Sequence, residues 1–363
     1  MKNVVLYLEY ILSDTRKAQE ENIKKRVEEA GFTFVKLRVE QGESKIEMKP
    51  TNDFPKIIKN WIKNENSGIK PIAVMRWDEH GGLFGRLNRF KILAQWCWKE
   101  RIAILSVDFG YFNHYKGYMF DLLDEEGQSF IRKDWNGLEN RIIEIEDIKG
   151  SIGEHIRLIQ RIYKKHQCFK KLHNLVPTYR VAAFTQSLAN NCVLSPKNNC
   201  PGNWCDEIKK IYRDKVIFKT QPAIFVKGKD IVHQYRTVTH GRDEIKNQGI
   251  EINASLAVNA EYVITNASGV TNEFVIAGIP CVVTGKSWFN GLNIFHEPTS
   301  WEAFARMADN IPKEVDSVQS LNRKKWMTWW LEHQTYEKEP SNALKRVVHQ
   351  FYDQHEKDGL KIK

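Results

Sequence analysis

No stretch of this 363-residue chain is apolar for long enough to cross a bilayer, because a spanning helix needs about 20 predominantly apolar residues in a row. The opening, MKNVVLYLEYILSD, takes on charge too early for a secretory signal. It reads instead as a β-strand followed by a helix over about Thr15–Ala30. A cytoplasmic location is expected, with surface attachment left open. Cysteine is scarce and scattered, at positions 97, 168, 192, 200, 205 and 281, which argues against the disulfide framework of a small secreted domain. Cys192, Cys200 and Cys205 lie near enough to one another to raise zinc, but no Cys-x-x-Cys pair occurs and no His follows at finger-like distance. Reduced thiols are expected, and no metal. Internal repeats and low-complexity tracts are also missing, which excludes solenoids and arrays.

What the chain has is ordinary globular composition and an excess of positive charge. The formal charge is +10 and the isoelectric point about 9.1. That balance favours polyanionic partners, whether nucleic acid, acidic lipid or phosphate-bearing substrates, without choosing among them. Helix faces such as NIKKRVEEAG carry much of the excess as plain solvated surface. The length suits two domains, each able to bury its own core.

Strand-like and helix-like segments alternate along the first half. Val4–Leu8, Phe34–Leu37, Ile72–Met75 and Ile102–Ser106 read as strands, and Arg16–Ala30, Phe54–Asn64 and Arg86–Glu100 as helices between them. A helix over Ile152–His166 and the connection HNLVPTYR follow. The alternation then restarts with a strand at Arg180–Phe184, a helix at Cys205–Arg213, a strand at Val216–Lys219 and a helix at Asn253–Val258. Helices near Trp301–Asn310, Ser320–His333 and Asn342–His355 finish the chain. The pattern predicts two α/β layers with mainly parallel sheets.

The stretch AEYVITNASGVTNEFVIAGIPCVVTG, Ala260–Gly285, is the most informative. Tyr262–Thr265 and Cys281–Thr284 are short buried strands. Thr271–Ala277 fits a helix stopped by Gly278 and Pro280, and Asn266–Gly269 is turn chemistry. Thr265, Asn266, Ser268 and Gly269 would place a helix N-terminus beyond the strand tip, which suits an anion. Glu273 stands one helical turn beyond Gly269, the one carboxylate on this helix.

At these residues a resemblance appears. RVAAFTQSLANNCVL, VIFKTQP and ASLAVNAEYVITNASGVTNEFVIAGIPCVVTGKSWF stand in the order found in capsule-polysaccharide glycosyltransferases of the Kdo-transferase type, over roughly Tyr179–Phe289. The resemblance implies the α/β GT-B fold, with two Rossmann-like domains facing a cleft and a C-terminal helix crossing back. The expected division is 1–172 for the acceptor, 178–325 for the nucleotide-sugar, and 326–363 as helices packing back on the N-terminal domain. It also implies transfer from a UDP- or CMP-sugar. Gln186 would line the nucleotide pocket and Lys219 would neutralise phosphate. Where the family has His in a K-x-HP turn, this chain has Gln221, which donates a hydrogen bond but carries no charge. His240, in VTHGRDE, is a conceivable substitute.

An inverting transfer also needs a base for the acceptor hydroxyl. Asp108, in ILSVDFGYF, follows a strand where the related enzymes carry an acid, and is the leading candidate. Asp78 and Glu79, in RWDEHGG, are its rivals. No Asp-x-Asp lies in a suitable place, so neither a divalent cation nor another cofactor is expected. For the acceptor, RLNRFKILAQWCWKERI and NHYKGYMF interleave cations with rings, which suits DNA. A 5-hydroxymethylpyrimidine in phage-type DNA is thus placed slightly ahead of a bacterial surface glycan. A nucleotide-sugar-binding protein without transferase activity is the third reading.

Overall fold

The computed structural model describes residues 3–9, 15–38, 54–64, 70–77, 87–109, 117–185, 201–219, 237–238, 246–266, 269–285, 289–308, 310, 314–336 and 342–357. The chain divides into two compact units. One is Met1–Ile142 together with Met327–Lys363, and the other is Ile143–Trp326.

The first unit runs β1 (Val4–Glu9), α1 (Thr15–Glu29), β2 (Thr33–Arg38), α2 (Phe54–Asn64), β3 (Ala73–Trp77), α3 (Leu87–Lys99), β4 (Ala103–Phe109), β5 (Gly117–Leu122) and the short α4 (Ile131–Asp134). The second holds α5 (Gly150–Leu172), β6 (Tyr179–Phe184), α6 (Pro201–Tyr212), β7 (Val216–Lys219), β8 (Thr237–Val238), α7 (Lys246–Val258), β9 (Ala260–Thr265), α8 (Thr271–Ala277), β10 (Cys281–Val283) and α9 (Trp301–Ala308). Helix α10 (Ser317–His333) carries the chain out of the second unit, and β11 (Gln334–Tyr336) and α11 (Ala343–Lys357) complete the first.

The first sheet has the order β11-β5-β4-β3-β1-β2. Its four central and outer strands β4, β3, β1 and β2 are parallel, while β5 and β11 add on antiparallel. Val4–Leu8 are all buried, as expected of a parallel strand covered on both faces. Phe54, Ile58 and Trp61 of α2, spaced four and three apart, turn one stripe onto this sheet beside Leu93, Ala94 and Cys97 of α3. The C-terminal segment is fastened to the same unit: β11 pairs with β5, and the Tyr352 hydroxyl donates to the Ile72 carbonyl at 3.0 Å.

Two expectations change here. Strand β4 extends to Phe109, and Asp108 pairs with Met119 of β5, so its backbone lies inside the sheet and not in a loop after it. Also, Trp96 and Trp98 of α3 pack against the core. Trp98 stands edge-on to Phe351 at 4.9 Å and donates its indole N–H to the Leu123 carbonyl at 3.0 Å. This half of the basic-aromatic segment is interior packing and not a stacking platform for bases.

The second sheet is parallel throughout, ordered β10-β9-β6-β7-β8. One face buries Val181, Ala183, Phe218, Tyr262 and Ile264 against Trp204 and Ile208 of α6 and Phe304 of α9. Alternation sends Phe184, Lys219 and Thr265 to the other face, where α5 packs on α7 and α8. Helix α8 ends in a left-handed turn: Gly278 has φ +67°, and the Ile279 amide donates to the Phe274 carbonyl at 2.9 Å. Glycine takes this conformation without the cost a side chain would add.

Candidate functional site

The carboxyl ends of the second sheet line up in one register row. Lys219 pairs with Phe184, Phe184 with Thr265, and Thr265 with Val283. Beyond the row, Thr185 donates both its amide (2.9 Å) and its hydroxyl (3.1 Å) to the Lys219 carbonyl. Thr284 does the same to the Thr265 carbonyl, at 2.9 and 3.3 Å, and receives the Trp204 indole N–H at 2.8 Å. These paired threonines fix the strand tips as a rigid ledge, the usual ligand edge of an open α/β sheet.

Gly285 closes the ledge. A Cβ built there would stand 1.3 Å from the Asn266 carbonyl oxygen and 2.6 Å from its Oδ1. Only glycine lets the two chain segments approach this closely. Asn266 is buried, and its Oδ1 has no hydrogen-bond partner among the described residues. Such an orphaned acceptor costs stability unless something else donates to it.

Lys219 is also buried, with its ammonium 6.0 Å from the Phe184 ring centroid. Phe184 in turn meets Phe274 of α8 edge-on at 5.0 Å. Glu273, one residue earlier on α8, is therefore near this cation. It is not the solvated helix-face acid that its surface-helix position allows. Asn253 of α7 donates its Nδ2 to both carboxylate oxygens, at 2.9 Å to Oε1 and 3.1 Å to Oε2, and the Tyr163 hydroxyl of α5 donates to Oε2 at 3.1 Å. One carboxylate thus ties three helices together.

Burial dominates the electrostatics of Glu273 and pushes its pKa up to about 7. The hydrogen bonds from Asn253 and Tyr163 and the charge of Lys219 oppose the rise without cancelling it. Near neutral pH the group is poised between its two forms. A carboxylate offers about four acceptor positions, and described residues take three here. The remaining one is on Oε1.

The turn before α8 is less suited to an anion than its sequence promises. The helix has seven residues, and the Asn272 and Glu273 amides are already spent on the Gly269 and Val270 carbonyls, at 3.3 and 3.0 Å. Positive charge at this edge comes from Lys219 more than from a helix dipole. Gly269 itself is exposed, and a Cβ there would meet nothing within 4 Å among the described residues.

Among the sequence-derived candidates, the structure brings Lys219, Thr265, Asn266, Gly269 and Glu273 to one edge. Gln186, Gln221, His240 and Ser268 lie outside the described residues, as do Asp78 and Glu79. Asp108 is placed by its backbone alone, near the end of β4. Of the cysteines weighed for zinc, Cys205 is a core residue, and Cys192 and Cys200 fall outside the described residues. Tyr163 and Asn253 were not anticipated. Their signal is faint: each is a hydrogen-bonding side chain on a buried helix stripe, next to Ile159 and Ile162 or to Ala254 and Ala257.

No family model matches the chain, and no curated protein matches it. Solved structures do. The β-Kdo 2,7 transferase of Thermosulfurimonas dismutans KpsC superposes with a TM-score of 0.50 at 10% identity, covering 95% of this chain and 99% of that one. The β-Kdo 2,4 transferase of the same protein scores 0.42 at 11% identity, covering 97% and 98%. The Methanocaldococcus jannaschii UDP-GlcNAc 2-epimerase, solved with UDP-GlcNAc and UDP, scores 0.36 at 14% identity, covering 90% and 99%. The last two are too distant to bear on the fold. With its two α/β units and mainly parallel sheets, the chain has the GT-B fold, similar to that of the β-Kdo 2,7 transferase.

Proposed function

We propose that this protein is a glycosyltransferase that moves a sugar from a nucleotide-sugar, a UDP- or CMP-sugar, to a hydroxyl acceptor. The observation that carries the reading is the half-buried, three-helix-anchored Glu273 beside Lys219 at the carboxyl edge of a parallel sheet. A nucleotide-sugar asks for an acceptor for a ribose hydroxyl, and Glu273 Oε1 has one position that no described residue fills. It asks for a cation near the diphosphate, and Lys219 supplies one. Asn266 Oδ1 is an acceptor without a donor among the described residues, which also leave open space at Gly269 for approach. Gln186, Gln221, His240 and Ser268 are assigned to the donor on the family resemblance alone.

Transfer is proposed to be inverting and metal-independent. Asp108 takes the proton from the acceptor hydroxyl as it attacks the anomeric carbon, and Lys219 stabilises the departing nucleotide. Asp78 and Glu79 are the alternatives for the base.

For the acceptor, a bacterial surface glycan now stands ahead of DNA. The DNA reading leaned on the rings of the Arg86–Arg101 segment, and two of them, Trp96 and Trp98, are committed to the core. What still favours 5-hydroxymethylpyrimidine DNA is the net charge of +10. The similarity in fold to a Kdo transferase supports the glycan.

A screen of labelled nucleotide-sugars against oligosaccharide primers and hydroxymethylated DNA tests both acceptors at once. Label passing to a primer supports the glycan, and label on DNA reverses the order. Donor binding with no transfer to any acceptor would leave a binding protein. Asp108→Asn should lower turnover by roughly 10²–10⁴-fold while keeping donor binding. Full activity in that variant moves the base to Asp78 or Glu79.

A further inference from the structure

Six large apolar side chains are exposed among the described residues. Two, Ile92 and Val318, stand apart in sequence, and the other four are Phe169, Leu172, Leu175 and Val176, at 57, 77, 44 and 81% exposure. These four fall at the C-terminal end of α5 and in the turn behind it. Scattered exposed apolar residues are ordinary, whereas a cluster needs an explanation.

The cluster is built and not frayed. Asn174 takes a left-handed conformation, φ +49°, and its amide donates to the Lys171 carbonyl at 3.2 Å, while the Leu175 amide reaches back to the Lys170 carbonyl at 3.0 Å. This paired closure folds the chain back over the last helical turn and brings the residue after the cap toward the helix end. Leu175 is thereby returned toward Phe169. Along the helix, Tyr163 faces inward to Glu273, and at 100° per residue Leu172 points the opposite way, with Lys165 and Phe169 about 20° and 60° round from it on the same side.

The segment that carries the cluster has charge of one sign. From Arg161 to Arg180 the sequence RIYKKHQCFKKLHNLVPTYR holds six cations and no carboxylate. Lys164, Lys165 and Lys171 are exposed, and Lys170 is turned inward to the Val258 carbonyl. Two acids of the described residues reach its cations from outside: Glu251 is already paired with Lys165 and His166, at 3.2 and 2.7 Å, and Glu261 with Arg180 at 4.0 Å.

We propose that the C-terminal end of α5 and its closing turn dock this protein on an anionic lipid bilayer. Phe169, Leu172, Leu175 and Val176 enter the interfacial layer, and Lys164, Lys165 and Lys171 meet the headgroups. Apolar insertion flanked by lysines is what such surfaces select, and one weak anchor of this kind gives reversible attachment. Nucleic acid fits less well, since three of the four apolar residues are aliphatic and offer no ring to stack on a base. A second copy also fits less well, because a two-fold contact would set this acid-free segment against itself. The helix that steadies Glu273 thus carries the docking surface about 9 Å farther along its axis. The inference does not depend on the glycosyltransferase reading.

The test is sedimentation of the full chain with vesicles of phosphatidylcholine alone and of equimolar phosphatidylcholine and phosphatidylglycerol. The expected result is binding to the mixed vesicles, falling as salt rises, and little binding to phosphatidylcholine. Two doubly substituted variants, Leu172→Glu with Val176→Glu and Lys164→Glu with Lys171→Glu, should each bind mixed vesicles at least about tenfold more weakly. Both alter exposed side chains only, and circular dichroism checks that they fold. Absence of sedimentation with mixed vesicles overturns the proposal, as does equal sedimentation of the parent and both variants. A loss confined to duplex DNA binding reassigns the surface to nucleic acid, and a change confined to oligomeric state reassigns it to a second copy.

Discussion

The hydroxyl of Tyr163 lies 3.1 Å from Oε2 of Glu273, joining helices 110 residues apart in the chain. The bond holds the carboxylate in a setting that burial would otherwise make hostile to its charge. It also fills an acceptor position on the oxygen turned toward α5, leaving Oε1 for a ligand. Tyr163 itself is held well above its ordinary pKa by burial and by the neighbouring Glu273, so it remains a donor at any working pH.

Tyr163→Phe removes that donor and little else. The Glu273 pKa should rise above about 7, because the lost hydrogen bond favoured the ionised form. The pH midpoint for nucleotide-sugar binding should move upward with it, and stability should fall by about 1 kcal/mol. Calorimetric titration of the donor across pH, on parent and variant, measures the shift. An unmoved midpoint would show that Tyr163 acts as packing alone.

Two groups with shifted pKa values should give stability opposite slopes with pH. Glu273 is raised from 4.5 to about 7 in the folded chain, so the native state holds a proton that the unfolded state has released. Its contribution is fully present below about 4.5 and is lost as pH rises through about 7. Relative to Glu273→Gln, the parent should lose on the order of 3 kcal/mol across that window. His333, in the first unit, is lowered from 6.5 to about 4 by burial; its Nδ1 lies 2.7 Å from the Trp329 carbonyl and its ring stacks on Trp329 at 3.6 Å. It favours the folded state above 6.5, and that advantage is lost as pH falls through about 4. Urea midpoints for Glu273→Gln and His333→Gln, taken against the parent over the pH range, should show the two slopes with opposite signs.

Gly285→Ala should destabilise the second unit by about 3 kcal/mol or weaken donor binding sharply, because the new methyl would overlap the Asn266 carbonyl. Gly269→Ala, with nothing within 4 Å of its Cβ, should leave folding intact. Thermal melting of the two variants side by side distinguishes a glycine required by close approach from one that only borders open space.

Much of the fold was legible because its strands are short apolar runs and its helices carry one buried stripe. Phe54–Asn64, Val216–Lys219 and Thr271–Ala277 fall where their patterns put them. The antiparallel strands β5 and β11 were not foreseen. GYMFDL carries an aspartate in a run too brief to alternate clearly, and QTY has three residues with no apolar face. Helix α5 runs six residues past the expected His166, ending at Leu172, because Phe169 and Leu172 point outward and break the inward periodicity that marks a helix. At the site, Glu273 was readable from its strand–turn–helix setting. Tyr163 and Asn253 were not, since what brings them to the carboxylate is the packing of α5 and α7 on α8, and no local pattern encodes that.

The most direct test of the account is nucleotide-sugar binding by the parent and by Glu273→Gln, measured calorimetrically with UDP- and CMP-sugars from pH 5.5 to 8.5. The parent should bind more tightly as pH rises through about 7 and then level off, as Glu273 ionises and accepts the ribose hydroxyl. The variant should bind at least about tenfold more weakly at the alkaline end, with no pH dependence in this window. Equal affinity of the two proteins at every pH would contradict the placement of the donor on Glu273.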